Sequence, residues 1–182
     1  MRYAQIRKMD ISNGEGIGVA LFVQGCHFHC KNCFNQETWD FNGGQEWTDD
    51  AMEDFLKLAD KPYIKRISIL GGEPLCLANR TGIFNLIVNI RKRYGNSKQV
   101  WLYTGYTWEN IQCKTLTRGT YVELLGRDMR VQGIVSGCDV IIDGQYVDEL
   151  RDYTLKWRGS SNQRIIDVQR SLWSDEMVLW DK

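Results

Sequence analysis

Three cysteines fall within eight residues, in Gln24-Gly-Cys26-His-Phe-His-Cys30-Lys-Asn-Cys33-Phe34. Thiolates are soft ligands that suit iron–sulfur clusters or zinc. Gaps of three and then two residues let one short loop wrap its sulfurs around a compact metal group. A cubane has four irons, and this loop supplies three thiolates. One iron is therefore left open for a small molecule, as a catalytic zinc keeps an open position. A Cys3His zinc site using His27 or His29 is the competing reading, and spacing alone serves both. Cys76, Cys113 and Cys138 are single, and each reads as a small buried hydrophobe.

A second motif tips the balance. Gly71-Gly72-Glu73-Pro74 follows a run of strand formers, and glycine lets backbone approach a ligand closely. Its N–H and C=O groups could hold the amino-acid end of a bound cofactor. No second Cys-x-x-Cys pair exists to make a double zinc knuckle.

The elements that must position these motifs alternate. Ile17–Val23 reads as a buried strand running into Gly25-Cys26. Thr48 caps a helix in which Met52, Phe55, Leu56 and Ala59 share one face, and Pro62 ends it. Ile64–Leu70 is the next strand. A second helix carries Ile83, Leu86, Ile87 and Ile90 and stops at Gly95. Val100–Tyr103 is a strand, 107–116 a short helix, and Cys138–Ile142 a fourth strand ending at Asp143-Gly144. Four glycines at 119, 126, 133 and 137 leave the stretch 117–137 without a clean element. This alternation predicts an α/β fold with parallel strands and crossover helices. Both motifs then sit at strand C-terminal ends, where such folds place their ligands.

Composition narrows the partners. Lys plus Arg (23) equals Asp plus Glu (23), so no basic nucleic-acid face is expected. Apolar runs such as Val19–Val23 are far short of the roughly 20 residues of a membrane span. The N-terminus lacks the apolar core of a signal peptide. A cytoplasmic protein is expected, where clustered cysteines read as metal ligands before disulfides.

Taken together the motifs resemble the radical S-adenosylmethionine (SAM) superfamily, and within it the activating proteins of anaerobic ribonucleoside-triphosphate reductase. The resemblance is carried by Asp10–Ile17, Leu21–Cys26, Cys33–Asp40, Gly71–Leu75, Trp101–Tyr106, Asp139–Gly144 and Trp157-Arg-Gly-Ser-Ser-Asn-Gln163. The last is the most family-specific. The resemblance implies a shortened, partial (βα) barrel over residues 1–168, followed by a tail, 169–182, with no assigned role. It implies that Cys26, Cys30 and Cys33 ligate one [4Fe–4S] cluster, with SAM on the fourth iron. Asn32, Cys33 and Phe34 would lie along the adenosine, and Gly72 with Glu73 would receive the methionine amino group. The implied reaction is reductive cleavage of SAM to a 5′-deoxyadenosyl radical. That radical takes a glycine Cα hydrogen from the reductase large subunit, with a low-potential donor such as flavodoxin or ferredoxin supplying the electron.

The chain departs from the family pattern in two places. Asn32 stands where an aromatic residue often precedes the third cysteine, with Phe34 on the other side. Glu15 and Gly18 replace the proline and arginine of a Gly-Pro-Gly-Ile-Arg loop. An activase for another glycyl-radical enzyme, such as pyruvate formate-lyase, is the neighbouring reading, and a zinc-stabilised interaction module the reading from a different class. Tyr103, Tyr106 and Trp108 read as packing more readily than as a substrate cleft. Asp143 reads as a turn former before a ligand to SAM or a cation. The donor-rich stretch 157–163 reads as a loop suited to an extended peptide.

Overall fold

The computed structural model describes residues 1–112 and 125–181. One seven-stranded open sheet is formed by β1 (Arg2–Asp10), β2 (Gly18–Val23), β3 (Gln45–Glu46), β4 (Arg66–Gly71), β5 (Gln99–Tyr103), β6 (Val140–Asp143) and β7 (Arg164–Asp167). Its order is β3-β1-β2-β4-β5-β6-β7. The expected parallel strands make the centre, where β2, β4, β5 and β6 run parallel. The all-parallel expectation fails at both edges, because β1, β3 and β7 join antiparallel.

The helices are α1 (Asp49–Ala59), α2 (Leu77–Tyr94), α3 (Trp108–Gln112), α4 (Met129–Ser136) and α5 (Val168–Ser174). Thr48 caps α1 as expected, its hydroxyl accepting from the Ala51 N–H at 3.1 Å. Gly95, at φ +55°, ends α2. The described part of the expected 107–116 helix is α3, and its remainder, with Cys113, lies outside the described residues. Helix α4 occupies the stretch left without an element, with Asp128 as its cap. Its glycine is a packing residue, since a Cβ on Gly133 would stand 2.4 Å from the Phe84 ring on α2.

Strand alternation divides the molecule into two faces. Val19, Leu21, Ile67, Ile69, Val100, Leu102 and Ile141 pack against Phe55, Ile83, Leu86 and Ile134 of the helices. The opposite face carries Ala20, Phe22 and Leu70 in one small cluster and Trp101, Val140 and Ile142 in another. It is covered by loops. The segment after β7 serves both faces: Val168 and Met177 pack with the helix-side cluster, whereas Trp180 packs edge-on against Trp101 on this one.

Loop 10–16 is held by a guanidinium from the neighbouring strand. Arg66 is fully buried and bonds to Asp10 Oδ2 and Asp10 O, each at 2.9 Å, to Glu15 O at 3.2 Å, and to Asn13 O. Gly18 pairs with Arg66 across the β2–β4 ladder. A Cβ at Gly18 would stand 2.8 Å from the Arg66 carbonyl and 2.9 Å from its guanidinium carbon. Position 18 thus has no room for the arginine of the family loop, and Arg66 fills that space. Removing one partner of a buried pair costs about 3–5 kcal/mol, because the remaining charge is stranded. Asp10→Ala should lose that much in urea unfolding. A loss below about 1 kcal/mol would mean that the carbonyls alone hold Arg66.

Candidate functional site

The loop leaving β2 turns sharply at Gly25, which has φ +94° and no room for a Cβ beside the Phe41 ring. Backbone bonds from Gly25 N to Thr38 O (2.8 Å) and Cys26 N to Trp39 O (3.1 Å) close it into an excursion returning to its own base. Two non-glycine residues with positive φ, His29 (+47°) and Asn32 (+55°), bend the chain between the cysteines. His29 stacks on Trp39 with ring centroids 4.6 Å apart, and His27 packs beside Phe28 and Tyr106.

The loop after β4 meets this excursion backbone to backbone. Gly72 N donates to Val23 O and Glu73 N to Gly25 O, both at 2.8 Å. A Cβ at Gly72 would lie 2.4 Å from Gly25 O. The close approach that requires glycine here is therefore to the base of the cysteine loop. Glu73 is buried, and its carboxylate accepts from Leu75 N, Thr104 Oγ1 and Gly105 N, each at 2.8 Å. Burial pushes its pKa up to about 7, opposed by those donors.

These loops wall a cavity of about 530 Å³ over the helix-free face. Cys26, Cys30, Cys33, Phe34, Gly72 and Glu73 all line it. Asn32 does not: it is exposed, and its amide donates to Asp148 Oδ2 at 2.7 Å. Phe34 meets Tyr146 edge-on at 5.2 Å. Arg7, Asn13 and Tyr146, which also line the cavity, were not among the expected site residues. Tyr103 lines it as well, whereas Trp108 packs in the core. Asp143 ends β6 before Gly144 and is not among the cavity's lining residues. It is buried, accepts the Trp108 N–H at 2.7 Å and pairs with Arg164, which also bridges to Glu109.

The three thiols fit an iron–sulfur cluster. All are free and partly exposed, on one cavity wall. Burial pushes Cys26 up to about 11 and also raises Cys30, so metal binding must displace protons. Backbone groups already offer hydrogen bonds to the sulfurs, from Phe28 and His29 to Cys26 and from Asn35 N to Cys33 Sγ at 3.4 Å. Such bonds stabilise thiolate ligands and tune cluster potential. Among the described residues no group of three His, Cys, Asp or Glu side chains converges on a single ion. Cys76 and Cys138 are buried and do not line this cavity.

The class follows from comparison. Residues 12–166 match the 4Fe-4S single cluster domain family. The anaerobic ribonucleoside-triphosphate reductase-activating protein of enterobacteria phage T4 is 37% identical over 180 residues, covering 99% of this chain and 98% of its own. The protein of the same name from Escherichia coli K12 is 38% identical over 166 residues, covering 90% and 96%. That of Vibrio cholerae is 32% identical over 167 residues, covering 91% and 97%. The chain belongs to the family of anaerobic ribonucleoside-triphosphate reductase-activating proteins, which carry a 4Fe-4S domain.

Two expectations follow. Gly72→Val should lower cluster content together with cofactor binding, because its side chain would displace Gly25 and hence Cys26. Full iron content with weakened cofactor binding would instead place the ligand directly against Gly72. For Glu73 the folded pKa is raised above the ordinary carboxylate value. Its contribution to stability is therefore complete below about pH 4.5 and declines as the pH rises through about 7. Unfolding free energy of the apoprotein should fall by about 2–3 kcal/mol over that range, and Glu73→Gln should flatten the decline.

Proposed function

We propose that the chain activates anaerobic ribonucleoside-triphosphate reductase by generating a glycyl radical on it. Cys26, Cys30 and Cys33 would hold one [4Fe–4S] cluster, and SAM would sit beside it. The single observation that carries this reading is one cavity walled by the cysteine loop, the Gly-Gly-Glu-Pro turn and the family-specific stretch after Trp157. A pocket of about 530 Å³ lies in the range that encloses cofactor-sized ligands. When bound, the cluster and SAM supply a one-electron reduction and a carbon radical able to take a hydrogen atom.

The chain's residues then have separable tasks. Phe34, with Cys33 next to it, would flank the adenosine, and Tyr146 supports the Phe34 ring. The backbone of Gly72 and Glu73 would receive the methionine end. The Glu73 carboxylate is engaged by three internal donors, so its part is to fix that backbone. Asn32 would contribute through backbone alone, given its side-chain bond to Asp148. On this reading the open sheet is a shortened (βα) barrel of the radical SAM type, whose helix-free face is the interior. Flavodoxin or ferredoxin fits the role of electron donor, and a reducing cytoplasm fits free thiols. No helix among the described residues is long and apolar enough to cross a membrane.

The test is anaerobic reconstitution followed by electron paramagnetic resonance of the reductase. Replacing any one of Cys26, Cys30 or Cys33 by Ala should abolish both SAM cleavage and the glycyl radical. Cys138→Ala should cost stability, through a buried cavity, while retaining cluster chemistry. Zinc without iron in the purified protein, or equal losses at every cysteine, would sink the proposal.

A further inference from the structure

The Tyr103 hydroxyl is buried and has no hydrogen-bond partner, although buried polar groups are nearly always paired. The ring lies at the end of β5, lines the cavity, and touches both small apolar clusters of the helix-free face. Burial raises its pKa strongly, so it is a neutral O–H donor. Arg158 lines the same cavity, and its Nε–H is likewise buried without a partner, although its Nη1 donates to Gln163 O at 2.8 Å.

The rest of the 157–163 stretch is consumed by its own turn. Gln163 Oε1 accepts from Gly159 N and Ser160 N, its Nε2 donates to Gly144 O, and Asn162 Nδ2 donates to Gln145 O. The density of donors that suggested peptide binding is thus mostly internal stapling. What remains for a ligand is Arg158 Nε, together with Tyr103 from a different element.

We propose that Tyr103 O–H and Arg158 Nε–H form the subsite for the backbone of the substrate polypeptide, each donating to one of its carbonyls. This inference rests on the activating function proposed above. A glycine offers no side chain, so a site that seats one must read main-chain carbonyl and amide groups. Phe22, Leu70 and Trp157 also line the cavity and give an extended segment apolar surface to lie on. The cysteine loop and Gly72 form the cofactor end, leaving this wall to the second reactant.

The test uses reconstituted holoenzyme and the intact reductase, with Tyr103→Phe and Arg158→Lys made separately. Tyr103→Phe removes one oxygen that bonds to nothing in the chain, so the melting temperature should not fall. Its KM for the reductase should rise about fivefold or more, the cost of one lost hydrogen bond at 1.4 kcal/mol per tenfold. The SAM dissociation constant should move by less than twofold. Arg158→Lys should raise KM alike, since lysine has no Nε–H at that position, with some loss of melting temperature from the bond to Gln163 O. An unchanged KM in both variants overturns the subsite, and so does a SAM affinity that falls in step with KM, which would give the donors to the cofactor. If wild-type protein makes no glycyl radical at all, it is the activating function itself that fails.

Discussion

One buried carboxylate sets the geometry on which the site depends. Glu73 sits where the C-terminal ends of β2, β4 and β5 converge, and its oxygens take an O–H and two N–H donors. Its own N–H reaches Gly25 O at the base of the cysteine loop. Three strand ends are thereby stapled through one residue, the β5 end by its side chain and the β2 end by its backbone. Bonds to a charged acceptor are shorter and stronger than neutral ones. Removing the acceptor would leave three buried donors unpaired, at about 1–3 kcal/mol each. Desolvation opposes the staple, as the raised pKa shows. The position therefore trades stability near neutral pH for a fixed relation between the cysteine loop and the Gly72 turn.

Arg66 does for loop 10–16 what Glu73 does for the strand ends. Loops over an open sheet face expose many carbonyls that no ladder satisfies. A guanidinium with five donors gathers those of Asp10, Asn13, Glu15 and Gly16 at one buried point. Gly18 is bare because that group passes beside it. The two staples commit the polar groups of the strand ends and of loop 10–16 to one another, which makes the two buried, unpaired donors of the cavity's lining residues informative.

The parallel centre of the sheet was legible because its strands are continuous apolar runs with glycine at their ends, and α1 and α2 repeat apolar residues at helical spacing. The edges were not. In β1, Arg2, Gln5, Arg7 and Lys8 interrupt any strand pattern, and pairing comes from the ladder with β2. Helix α4 was hidden by Gly133, a poor helix former kept for contact with Phe84. Cys26, Cys30 and Cys33 stood out by their spacing, although spacing alone served zinc as well as a cluster, and Gly72 and Glu73 drew their role from the resemblance. The orientation of Asn32 was not legible, because it follows from a positive φ that no local pattern announces. Arg7 and Asn13 reach the cavity from β1 and the loop after it, and Tyr146 from beyond β6, so only the tertiary fold brings them together.

The segment after Val168 is tied to the cavity wall through tryptophans. Asp167 N donates to Val178 O and Trp180 N to Ile165 O, so the chain end runs back along β7. This places Trp180 against one side of Trp101, while Trp157 packs on another, with centroids 5.9 and 5.2 Å away. Trp157 has φ +60°, a conformation that a bulky residue keeps only where packing imposes it. Arg158 is the next residue and takes its direction from that turn. The Trp180 indole thus helps to fix the pillar beside which Arg158 stands. The cavity is thus walled by Trp157, Arg158 and Gln163 from the C-terminal part of the sequence as well as by the cysteine loop and the turn after β4.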